Sequence, residues 1–174
     1  MNQIFILGAS TVYGVGGKNG GWADILKRSF HQKMYAPNGL GETFEVFDFG
    51  KSGASIEFVL ETFPQQFADY KRSSGTTVAL VSVGGNNAKA VGEPGNYVST
   101  IEEYSKQMSQ LLDLLVEKTS YVFGVGSGYY NESKVSPVIS PFSGKKSYFS
   151  NKRKKLFEAE CKRLCEEKKL TYIG

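Results

Sequence analysis

Short apolar runs alternate with stretches of helical periodicity along most of the chain, and this alternation limits the fold more than any single residue does. Residues 3–8, 43–49, 76–83, 120–126 and 170–173 read as strands, each brief, apolar and closed by turn-forming or charged residues. Residues 22–34, 55–70, 98–118 and 151–169 read as helices. Strands that alternate with helices predict a parallel sheet covered on both faces. The expected architecture is α/β: a three-layer α/β/α sandwich around a parallel five-stranded sheet. The run TTVALVSV at 76–83 is β-branched and apolar enough for the sheet centre. At 174 residues the chain fits one domain, 1–174, with a sizeable core.

Local signals sharpen this outline. Trp22, Ile25, Leu26, Phe30 and Met34 fall on one helical stripe, with Trp22 reading as core. Pro64 is expected to break or restart the helix around it. Ser99 or Thr100 can cap the third helix, with Glu102 and Glu103 in its first turn. Residues 127–150 show no period and read as a lid, a binding loop or a disordered segment. Their aromatic residues, Tyr129, Tyr130, Phe142, Tyr148 and Phe149, either pin that segment to the body or line a pocket.

Composition excludes several classes. A net charge of +4 is too weak to imply nucleic acid by itself. No apolar run is long enough to span a membrane. The first strand begins too early to leave room for a signal peptide, so a cytoplasmic location is expected. Cys161 and Cys165, four apart on a helix, read as reduced thiols, and no metal or cofactor is expected. Oligomeric state is not readable. The basic run at 145–155 reads as a solvated helix start, an anionic ligand being the alternative.

In parallel α/β sheets, chemistry gathers at the carboxyl ends of the strands. Ser10 follows the first strand, Gly50 and Gly53 the second, and Asn86 and Asn87 the third. A hydroxyl nucleophile, a glycine-rich turn and a side-chain amide at one edge suit acyl transfer. Ser10 would attack a carbonyl carbon; a glycine N–H and an asparagine amide would receive the charge that develops on its oxygen. The competing reading is a nucleotide site. It fails on spacing: Ser10 and Thr11 stand where dinucleotide loops need glycine, and Gly17-Lys18 is followed by Asn19, which breaks a P-loop.

These blocks resemble the SGNH hydrolases, also called GDSL esterases and lipases. Gly8-Ala9-Ser10, with Gly14 after three intervening residues, is similar to the first block of that family. GKSGAS at 50–55 is similar to the second, with Gly53 the better match to the oxyanion glycine and Gly50 the second. Gly84-Gly85-Asn86-Asn87 is similar to the third, G-x-N-D. The resemblance implies a flavodoxin-like fold and cofactor-free, metal-free hydrolysis of small esters, thioesters, lysophospholipids or acetylated glycans. It implies Ser10 as nucleophile, with Ser10 N–H, Gly53 N–H and the Asn86 amide as oxyanion donors. Tyr13, Asn87, Tyr129, Tyr130 and Phe142 are the expected substrate contacts.

Three positions depart from the pattern. Ala9 and Asn87 replace acidic residues, and the family's Asp-x-x-His pair is missing. The single histidine, His31, follows Arg28 on the first helix and reads as a surface residue. The expectation is that the Asp-His segment lies beyond Gly174; a naturally inactive relative that only binds an acylated ligand is the alternative. Without a general base, these 174 residues are expected to hydrolyse poorly.

Overall fold

Residues Thr77–Ser82, the most β-branched run, form the middle strand of a parallel sheet in the computed structural model, which describes residues 1–34 and 42–174. In chain order the elements are β1 (Asn2–Gly8), α1 (Ser10–Tyr13), α2 (Trp22–Met34), β2 (Phe44–Gly50), α3 (Ile56–Tyr70), β3 (Thr77–Ser82), α4 (Gly85–Ala88) and β4 (Ala90–Val91). There follow α5 (Ile101–Lys118), β5 (Tyr121–Val125), α6 (Glu132–Val135), β6 (Val138–Ile139), β7 (Lys146–Tyr148), α7 (Asn151–Glu167) and β8 (Thr171–Ile173).

The five-stranded sheet runs β2-β1-β3-β5-β8, with every pair parallel. Strand order reverses between β1 and β3, so their carboxyl ends open the crevice where such folds bind ligands. Alternation along β1 divides the core. Phe5 and Leu7 point to the face covered by α3, α5 and α7; Ile4 and Ile6 point to the face covered by α1 and α2. Cover on the second face is uneven. Over β5 and β8 it is thin among the described residues, where Tyr121 is 59% and Ile173 49% exposed.

Two sequence expectations change. Pro64 does not break α3, because Ile56, Val59, Phe63 and Phe67 keep one buried stripe across it. Segment 127–150 is only partly irregular: β7 pairs antiparallel with β6 and with β4, folding the segment back over the loop after β3. Other signals hold. Thr100 caps α5 in a reciprocal capping box with Glu103, and Cys161 and Cys165 are buried free thiols. Among the described residues no helix is long and apolar enough to cross a membrane.

Candidate active site

At the end of β1 the backbone passes close to β3. A Cβ on Gly8 would stand 2.6 Å from the Ser82 carbonyl oxygen and 2.3 Å from Val12, so only glycine fits. The chain then turns at Ala9 into the single helical turn α1, whose first residue is Ser10. The Ser10 N–H therefore has no intrahelical acceptor. Gly14 closes that turn with φ of 97°, its N–H donating to the Ser10 carbonyl.

Behind β2, the two candidate glycines separate. Gly50 N–H donates to Asp48 Oδ1 at 2.8 Å and is thereby engaged. Burial raises the Asp48 pKa, against the lowering effect of that same hydrogen bond. Gly53, at φ of 82°, lies in the exposed loop beyond, where a Cβ would meet only the Phe142 ring, at 3.9 Å. Lys51 N–H donates to the Gly8 carbonyl at 3.1 Å, tying this loop to the end of β1.

Asn86 lies on α4, directly after β3. Its Nδ2 donates to the Ala54 carbonyl at 2.9 Å, while its Oδ1 accepts from Lys89 Nζ at 3.0 Å. A primary amide carries two hydrogens, so one remains for a ligand. The Lys89 ammonium is half-buried, and desolvation lowers its pKa. Asn87 has turned the other way and is fully buried. Its Oδ1 accepts from Ile56 N–H, and its Nδ2 donates to Glu57 and to Ser99 Oγ, each at 3.1 Å. Burial pushes the Glu57 carboxyl up, but hydrogen bonds from Ser55, its own backbone, Asn87 and Gln107 outweigh it, and the net shift is downward. The acid at this corner is Glu57, which is why an amide suits position 87.

Ser10 and Asn86 line one cavity of about 290 Å³, with Val83, Val138, Tyr130 and Phe149 among its walls. Among the described residues no charged side chain lines it. The loops after β1, β2 and β3 are tied together at one edge of the sheet by the Lys51–Gly8 and Asn86–Ala54 hydrogen bonds, but Gly53 is not part of the cavity lining. Of the expected substrate contacts, only Tyr130 is on the cavity wall. Asn87 is a buried brace behind it. Tyr13 and Tyr129 are 61% and 68% exposed and outside the lining, and Phe142, 74% exposed, stands beside Gly53. His31 lies on α2 and is not part of the lining. Sequence reasoning did not single out Lys89, which stands just past the end of α4, three residues after Asn86. Among the described residues no three His, Cys, Asp or Glu side chains gather as a metal site.

A family model described as GDSL-like Lipase/Acylhydrolase matches residues 4–171. No curated protein matches the sequence. Among solved structures, the lipase/acylhydrolase from Enterococcus faecalis is similar with a TM-score of 0.69 and 14% identity, over 100% of this chain and 76% of that one. AlinE4, an SGNH-hydrolase family esterase, gives a TM-score of 0.63 and 15% identity, over 99% of this chain and 75% of that one. A catalytic mutant of Axe2, an acetylxylan esterase from Geobacillus stearothermophilus, gives 0.60 and 12%, over 99% and 75%. At these identities the structural likeness bears on the fold alone.

Proposed function

The chain belongs to the GDSL-like lipase/acylhydrolase family, and we propose that it serves carboxylic-ester hydrolysis through an acyl-enzyme on Ser10. Ser10 Oγ adds to the ester carbonyl as its proton passes to a general base. The tetrahedral oxyanion is held by Ser10 N–H, Gly53 N–H and the unused Asn86 amide hydrogen. The alcohol leaves with the proton returned by the base. Water then attacks the acyl-Ser10 ester, the carboxylic acid departs and the hydroxyl is regenerated. One preorganised oxyanion donor lowers the barrier by roughly 3 kcal/mol.

The observation that carries this reading is the shared cavity of Ser10 and Asn86, with the Asn86 amide bonded across to Ala54, the neighbour of Gly53. Neither an imidazole nor a carboxylate lines that cavity among the described residues. The general base of this proposal is therefore not among the residues that line the cavity. Gly126 N–H pairs with the Ile173 carbonyl at 2.8 Å, so the end of β8 lies at the same edge of the sheet as the cavity, and the sheet face over β5 and β8 is thinly covered among the described residues.

The test is hydrolysis of p-nitrophenyl esters by the full-length protein and by its Ser10→Ala variant. Loss of turnover by about four orders of magnitude in the variant supports the reading; unchanged turnover overturns it. An inactive binder of acylated ligands is the second reading, favoured by the position of the lone His31 on α2. It predicts saturable binding of the carboxylic acid product with no turnover by the full-length protein.

A further inference from the structure

One wall of the cavity is a single aromatic ring fixed from behind by three side chains of α7. Asn151 grips the Tyr130 peptide on both sides: Tyr130 N–H donates to Asn151 Oδ1 at 2.8 Å, and Asn151 Nδ2 donates to the Tyr130 carbonyl at 2.9 Å. Glu158 Oε1 accepts from Ser127 N–H at 3.1 Å. The Lys154 ammonium, whose side chain is 3% exposed, donates to the Gly128 carbonyl and lies 4.3 Å over the Tyr130 ring. Asn151, Lys154 and Glu158 follow helical spacing, so one face of α7 holds residues 127–130 at several points.

The ring is confined in front as well. Phe149 stands 5.1 Å away, centroid to centroid, and the Tyr130 hydroxyl lies against Gly85, where a Cβ would come within 2.5 Å of it. Gly85 adjoins Asn86, so the Tyr130 hydroxyl reaches the segment that carries the oxyanion amide. Burial pushes the Tyr130 pKa up to about 12, and the hydroxyl stays neutral at physiological pH. The ring also stands between the Lys154 charge and the cavity, which keeps an otherwise charged corner apolar. A volume of about 290 Å³ equals roughly ten waters. An acetyl group leaves most of that space unfilled, and a long fatty chain has to run past the Tyr130 ring or out through the mouth.

We propose that Tyr130, held in place by Asn151, Lys154 and Glu158, is the specificity-determining end wall that limits the acyl group to an uncharged chain of medium length. This rests on the proposed ester hydrolysis only in taking the cavity as the acyl site. Tyr130 touches the acyl chain; the three α7 residues are positioning residues that act through it.

The experiment is calorimetric titration of the Ser10→Ala protein with acetate, butyrate, octanoate, dodecanoate and hexadecanoate. Affinity is expected to rise by up to about fourfold per buried methylene as far as octanoate, then to fall. Tyr130→Ala, or Tyr130→Leu if the alanine variant does not fold, is expected to move the optimum to dodecanoate or beyond. Tyr130→Phe keeps the original order, and Asn151→Ala broadens it. Acetate binding as tightly as octanoate, or the same optimum in Tyr130→Ala and Tyr130→Leu, overturns the proposal. A binding readout on a protein that lacks Ser10 separates this result from the catalytic reading: nucleophile identity is decided by turnover, chain length by affinity.

Discussion

The Asn86 side-chain amide donates to the Ala54 carbonyl at 2.9 Å, which locks the loop after β3 onto the loop after β2. The side chain that we propose for oxyanion stabilisation thereby also braces the loop that carries Gly53, the second proposed donor. Asn86→Ala should lower turnover on p-nitrophenyl esters by about 10²–10³-fold with little change in KM, measured by steady-state kinetics on the full-length protein. A change confined to KM would mean that Asn86 binds the ground state.

Lys89 donates to Asn86 Oδ1, so its charge polarises the amide that faces the cavity. Desolvation lowers its pKa, so folding works against the charged form: below the folded pKa the penalty is present in full, it fades as pH rises from the folded to the unfolded value, and above the unfolded value it is gone. Lys89→Met is therefore expected to fold at least as stably at neutral pH in a thermal melt, while losing about tenfold in turnover. Lys89→Arg should restore most of the rate.

Asn87 links Ile56, Glu57 and Ser99 in a fully buried corner. Asn87→Asp would set a second carboxylate against Glu57 and remove two donated hydrogen bonds. The expected loss is about 2 kcal/mol at neutral pH, measured by denaturant unfolding, shrinking as acid protonates one of the two groups. Glu57→Gln in the same background should recover much of that loss.

Glu160 joins α7 to α5: hydrogen bonds from Arg163 and then from Ser105 pull its pKa down from 4.5 to about 2. A depressed carboxylate stabilises above its unfolded pKa and loses that contribution as pH falls through the folded one. Glu160→Gln should lower Tm by roughly 2–4 °C at neutral pH, the gap closing between pH 4.5 and about 2.

Much of this architecture is legible in the sequence, for identifiable reasons. Ser10 and Asn86 stand out because strand ends are easy to locate when apolar runs are short, and parallel sheets bring those ends together. Helix α2 starts at Trp22, as its stripe does, because Gly21 N–H donates to Asp24 Oδ2 at that point. Pro64 misleads because the buried stripe of α3 outweighs one lost backbone bond. Strands β6 and β7, two and three residues long, leave no periodic trace, and their pairing with β4 is non-local. Aromatic content in 127–150 does not reveal direction: Tyr130 faces the cavity, while its neighbour Tyr129 stands in solvent beneath the Lys155 ammonium. The roles of Lys89 and Asn151 depend on partners that only the folded chain supplies.

Reaction of the full-length protein with a fluorophosphonate ester, followed by peptide mapping in a mass spectrometer, addresses the convergence of Ser10 and Asn86 most directly. The account predicts one adduct, on the peptide that carries Ser10, formed far more slowly in Asn86→Ala and absent from Ser10→Ala. An adduct on another residue, or one that persists at full rate in Ser10→Ala, would contradict it.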